Sequence, residues 1–201
     1  SHLALNNLTL KSENQDVNVH GSRLTATGTT TFDGTKNFNI SAGKEHGQQE
    51  TSSKTNNQSV SYTYGGGGSV SVGKQTSKSH DESLTNVNST VDLNTVSGSL
   101  NKLNIQGGEV SIADRGDIKV NQIHVESIQD TASGNSSSKG GSVGVGIGSG
   151  GGNVTASYNQ AKGQNDKAWV NETSKLLIGN AQNDADLDAM GVQKVSNIGG
   201  V

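Results

Sequence analysis

A chain of 201 residues with no proline is restricted in what it can fold into. Average usage would supply about ten prolines at this length. Proline cannot donate the backbone N–H that an interior strand must give to its neighbour. Disordered linkers, for their part, are usually enriched in it. Its exclusion points to stacked strands that pair on both edges. Cysteine is also absent. A secreted protein without disulfides needs another source of stability, and repetitive ladder hydrogen bonding supplies one.

The rest of the composition agrees with a thin, stacked structure. Hydrophobic residues make up 28% and aromatics 3%, too little for the thick core of a compact globule. Charged residues reach only 16% with a net charge of -3, which is too weak for disorder driven by self-repulsion. That balance gives no nucleic-acid footprint and no polybasic membrane patch. No leader or membrane-spanning helix is read in the chain, which opens inside an alternating pattern, Leu3-Ala4-Leu5, and reads as excised from a longer protein.

The dominant spacing is two, the period of a strand. It runs through Leu3/Leu5, Leu8/Leu10, Val17/Val19, Leu24/Ala26 and Phe38/Ile40, and later through Val91/Leu93, Leu103/Ile105, Val110/Ile112, Ile118/Val120 and Ile123/Val125. Gly, Asn, Asp or Ser separates one run from the next, as turns require. The apolar member of each run is expected to face inward, notably Val19, Leu24, Ile40, Leu103, Ile105, Ile112, Ile118 and Val120. The chain also repeats itself. Ser59-Val-Ser-Tyr-Thr-Tyr-Gly-Gly-Gly-Gly68 matches Ser142-Val-Gly-Val-Gly-Ile-Gly-Ser-Gly-Gly151, Val87-Asn-Ser-Thr90 matches Val170-Asn-Glu-Thr173, and Gly21-Ser-Arg-Leu24 resembles Gly107-Gly-Glu-Val110. We read residues 3–180 as a solenoid of two long units of roughly 83 residues, and 181–201 as a tail or cap. In a solenoid each rung buries its face against the next, about 4.8 Å away, so a narrow core suffices. Asn and Thr richness fits ladders of like residues.

Val17-Asn-Val-His-Gly-Ser-Arg-Leu-Thr-Ala26, the block from Ser136 to Gly151, and Ala168-Trp-Val-Asn-Glu-Thr173 resemble the haemagglutinin-repeat exoproteins exported by two-partner secretion. That group includes filamentous haemagglutinin and the large effectors of contact-dependent growth inhibition. The resemblance covers about residues 3 to 180. It implies an all-β fold, a right-handed parallel β-helix with glycine-rich β-hairpin segments. It also implies export through an outer-membrane transporter to the bacterial cell surface, and a role in adhesion or toxin delivery. The expected partners are a cell-surface receptor or an outer-membrane component of a target cell.

Chemistry is sparse. His2, His20, His46, His80 and His124 lie far apart without metal-ligand spacing, and solvated histidines are the simpler reading. Asp184, Asp186 and Asp188 alternate like a calcium loop, but Ala189 and Val195 stand where its glycine and final carboxylate belong. Glu109, Asp114 and Asp117 lie near one another but lack the aromatic platforms that sugar-cleaving β-helices use. We therefore expect no catalytic, cofactor or metal site, hence no enzyme and no cofactor. The alternatives are a carbohydrate-acting β-helix enzyme and a phage- or pilus-like fibre segment. Two candidate contact sites remain. One is the turn Arg115-Gly116-Asp117, which could present cation and carboxylate to a receptor, although Asp-Arg-Gly-Asp is also ordinary turn chemistry. The other is the pair of glycine-rich hairpins carrying Tyr62, Tyr64, Val145, Ile147 and Tyr158, each expected after a polar stretch and with strands shorter than the 9–11 residues of a membrane strand.

Overall fold

A computed structural model describes residues 1–181 and 183–201. Strands account for 75% of the chain and helix for 3%. The all-β expectation therefore holds. Contacts divide the chain into two interleaved units. One holds Ser1–Glu45, Leu84–Asp130 and Ala168–Val201; the other holds His46–Ser83 and Thr131–Lys167.

The first unit is built from parallel pairs. β1 (His2–Leu5), β2 (Leu8–Lys11) and β3 (Val17–His20) come first, then β4 (Arg23–Asp33) and β5 (Asn37–Ser41). β6 (Gly43–Thr63) and β7 (Gly67–Val87) follow in sequence, then β8 (Ser89–Gln106), β9 (Gly108–Asp114) and β10 (Lys119–Glu126). β11 (Asp130–Gly148) and β12 (Gly151–Trp169) precede β13 (Lys175–Ile178), α1 (Asp184–Ala189) and β14 (Lys194–Ile198). β1 pairs with β4, β4 with β8, β8 with β9 and β9 with β13, all parallel. A second run goes from β3 to β5, β8, β10 and β14, also parallel.

These registers align like with like. Leu24, Val91, Val110 and Leu176 stack in one column, and Val19, Ile40, Ile105 and Val125 in another. Ile40, Ile105, Val91 and Val110 are fully buried. Leu24, Leu103, Ile112, Ile118 and Val120 are buried as their alternation requires, while Val19 packs half-buried against the same core. Asn18, Asn39 and Asn104 form an asparagine column, in which Asn39 Nδ2 donates to Asn18 Oδ1 at 2.8 Å. Phe32 and Phe38 pack ring to ring at 5.2 Å inside the stack.

The tail is anchored. The Asn183 side chain caps α1 by accepting from the Asp186 amide. Asp184 and Asp186 lie in the first turn, where the helix dipole favours negative charge. Met190 at its end is buried, and its carbonyl accepts from Val120 N at 2.9 Å. β14 then adds a strand to β10.

The second unit corrects the expectation of a parallel β-helix with short glycine-rich hairpin segments over residues 3–180. It is a four-stranded sheet in the order β12-β11-β7-β6. Opposed residues run in opposite directions: Glu50 faces His80, Ser59 faces Ser71 and Ser61 faces Ser69. The same holds across β7–β11, where Asp81 meets Gly134 and Ser77 meets Ser138, and across β11–β12, where Gly140 meets Asn159 and Ser142 meets Ser157. The sheet is antiparallel, and each pairing keeps one register from end to end. Its strands are 19 to 21 residues long, not the short strands expected. The polar stretches before each glycine block are themselves strand. Ser and Thr are tolerated there because cross-strand hydroxyl pairs such as Ser59–Ser71 at 2.7 Å stabilise a two-sided, solvated ribbon.

Candidate functional site

The antiparallel sheet has no second layer of its own. Among the described residues of the second unit, His46–Ser83 and Thr131–Lys167, only Gly140 is buried. A sheet with a core carries apolar side chains toward that core; here they point to solvent. The antiparallel register decides which ones share a face. Val60 on β6 lies across from Val70 on β7, Val70 from Val145 on β11, and Val145 from Val154 on β12. The row on one side carries Tyr62 and Ile147; the row on the other carries Val72, Val143 and Ala156. Tyr64 lies at the tip and Tyr158 at the inner edge. Every large apolar side chain at these hairpin ends is therefore on one face of the sheet.

The reverse face holds Ser59, Ser61, Ser69, Ser71, Gly144, Gly146, Asn153 and Thr155. The segregation follows from period two carried through three pairings in constant register. Exposure on the apolar face is high: 77% for Tyr62, 96% for Tyr64, 49% for Val145, 69% for Ile147 and 72% for Tyr158. Those five are the hairpin residues expected from sequence, and the fold brings them together. Val60, Val70, Val72, Val143 and Val154, which alternate around the same glycine turns, complete the patch, since a hairpin centre fixes which residues oppose one another. The patch measures roughly 14 Å across and about 20 Å along the strands, near the size at which exposed apolar surface marks a binding site. The tips turn on Gly65 (φ +77°) and Gly67 (φ +123°), with Gly66 N donating to Thr63 O.

Further from the tip, on the same face, His80 lies between two carboxylates. Its Nδ1 is 3.2 Å from Glu50 Oε1 and its Nε2 2.9 Å from Glu82 Oε1. The hydrogen bond to Glu82, then the charges of Glu82 and Glu50, hold the imidazolium above its usual range. Among the described residues no group of three or more His, Asp or Glu side chains has metal-binding geometry.

The Arg115-Gly116-Asp117 turn is closed at one end. Gly116 N donates to Asp114 Oδ1 at 2.9 Å, and Asn180 Nδ2 to the same oxygen at 2.7 Å. Those two bonds, with Arg115 nearby, hold the Asp114 carboxyl below its usual range. Asp117 is exposed. Arg115 is not free to reach outward: its Nε donates to Asn180 O at 3.2 Å, and its guanidinium lies 3.8 Å from Asp186. Gly116 has φ +51°, and a side chain there would run into the Val96 carbonyl.

Repeated parallel rungs, like-residue columns and a glycine-rich hairpin sheet meet a family model described as hemagglutinin repeat, which matches residues 1–141. The chain belongs to the hemagglutinin-repeat family. Members of that family are secreted, surface-exposed exoproteins of an adhesin-like kind, typically structural rather than catalytic. No curated protein and no solved structure matches the chain. Among the described residues no helix is long and apolar enough to cross a membrane.

Proposed function

We propose that this hemagglutinin-repeat chain is a repeat-region segment of a large secreted exoprotein that acts without catalysis in adhesion or contact-dependent toxin delivery. In this reading the parallel unit is a right-handed β-helix that serves as a filament. The antiparallel sheet is its contact surface. An outer-membrane transporter handles the chain during export, and a receptor or outer-membrane component of a target cell meets the sheet afterwards. The observation that carries the reading is the single apolar face spanning β6, β7, β11 and β12, with Tyr62, Tyr64 and Ile147 at its tip and no layer of its own to cover it. A monomer gains nothing by keeping such a patch in water.

The Arg115-Gly116-Asp117 turn is the second candidate contact, supported by the exposure of Asp117. It ranks behind the sheet because Arg115 is already engaged with Asn180 and Asp186.

Attachment of the purified protein to target cells tests both. Replacing Tyr62, Tyr64 and Ile147 together by Ser is expected to remove most of the attachment and leave folding intact, since all three side chains are exposed. Asp117→Glu is expected to change it little. Attachment that survives the triple change but disappears with Asp117→Glu would move the contact to the turn.

A further inference from the structure

The face that carries the apolar tip carries a second feature. The same register places five lysines directly behind it. Lys74 lies one row inward of Val72, beside Tyr158. The next row holds Lys54 and Lys139, and the one after it Lys78 and Lys162. All five are exposed, and none makes an ion pair among the described residues. The acidic residues of this face, Glu50, Glu82 and Asp166, lie farther from the tip than every one of these lysines. From the tip inward the face thus reads apolar with tyrosines, then cationic, then acidic. The reverse face has only Asp81 and Lys167 as charged residues within the unit.

We propose that this face docks on an anionic, phosphate-bearing lipid membrane surface, with the apolar tip in the interfacial layer and the lysine rows on the headgroup phosphates. The proposal rests on the reading of the sheet as the contact surface and names its partner. Two observations select a membrane over a second copy of the chain. A second copy of this face would add five more exposed lysines and no acidic rows at the apolar end, whereas a layer of phosphates complements them. Tyrosines at the border between apolar and charged rows suit a surface that is apolar on one side and wet on the other. The apolar alternation covers about seven residues of each strand, short of the 9–11 needed to span, so the sheet enters the surface without crossing it. Each lysine near an anionic surface contributes about fivefold in partitioning.

Vesicle flotation of the whole chain tests this, with vesicles of phosphatidylcholine alone and of phosphatidylcholine mixed with phosphatidylglycerol. The expected result is binding to the anionic vesicles, loss of that binding on raising the salt, and little binding to the neutral ones. Replacing Lys54, Lys139 and Lys162 by Gln should cut partitioning on the order of a hundredfold with an unchanged circular dichroism spectrum. Tyr64→Ser should weaken binding to both kinds of vesicle. Equal binding to neutral and anionic vesicles, or no effect of the lysine changes, overturns the proposal. Absence of vesicle binding combined with cell attachment that still needs Tyr62, Tyr64 and Ile147 also overturns it, while sparing the sheet as contact surface with a protein partner. Concentration-dependent dimerisation abolished by Tyr64→Ser would assign the face to a second copy instead.

Discussion

Ser89 and Ser174 do the same work at two levels of the parallel unit, with the β9 strand between them in the stack. Both are fully buried, and each donates its hydroxyl to a carbonyl 48 residues earlier, at 2.6 Å: Ser89 to Ser41 and Ser174 to Glu126. Each also accepts from a backbone amide of the preceding corner, Ser89 from Ser22 N and Ser174 from Gly108 N. The corner amides match in turn, with Gly21 N donating to Ser41 O and Gly107 N to Glu126 O. The likeness between Gly21-Ser-Arg-Leu24 and Gly107-Gly-Glu-Val110 is therefore a likeness of place in the stack.

Replacing Ser174 by Ala should cost about 1–3 kcal/mol, because it strips an acceptor from the buried Gly107 and Gly108 amides and a donor from the Glu126 carbonyl. Denaturant unfolding of the variant measures it. A midpoint equal to that of the unsubstituted chain would mean that water replaces the hydroxyl.

Ile105→Asp should destabilise by several kcal/mol. Ile105 has no exposed surface and lies between Ile40 and Val125, so the new carboxylate would be buried without a counter-charge. The thermal midpoint is the readout, and an unmoved midpoint would contradict the inward facing of this column.

The His80 cluster should make the β6–β7 pairing stronger in acid than in base. Its folded pKa is raised above 6.5. The contribution is therefore complete below 6.5 and is lost as pH rises through the folded value. Following the His80 ring proton by NMR should give a titration above 6.5 that moves down in Glu82→Gln. A titration unaffected by that change would separate His80 from Glu82.

Amide exchange should be fastest in the glycine-rich ends, Val60 to Val72 and Val143 to Tyr158, and slowest around Ile105 and Ile118. The ends bury little apolar surface and carry glycines that are costly to order, whereas Ile105 and Ile118 are buried in the stack. Equal protection in the two regions would make the ends ordinary wall.

The sequence by itself determined the strand period, the inward face of each short run and the family. Those properties are local: alternation at Leu103/Ile105 or Ile118/Val120 declares which side is apolar, and the absence of proline declares that the strands are paired. Tertiary structure alone decided how the long polar stretches are used. Residues from Gln48 to Ser59 carry no apolar pattern, so nothing local distinguishes a polar loop from a long solvated strand. Only the pairing of β7 with β11 shows that the two hairpins share one sheet. That pairing also overturned the expectation of no cationic patch. Lys54, Lys74, Lys78, Lys139 and Lys162 are scattered through a chain of net charge -3, and they become neighbours because antiparallel strands in constant register lay distant residues side by side. Arg115 was decided the same way. Its triplet reads as an exposed turn until Asn180 and Asp186, far along the chain, come back to hold the guanidinium. Side-chain facing follows from a period of two, but which side chains meet depends on register between segments, and register is fixed by turns and burial that no single segment contains.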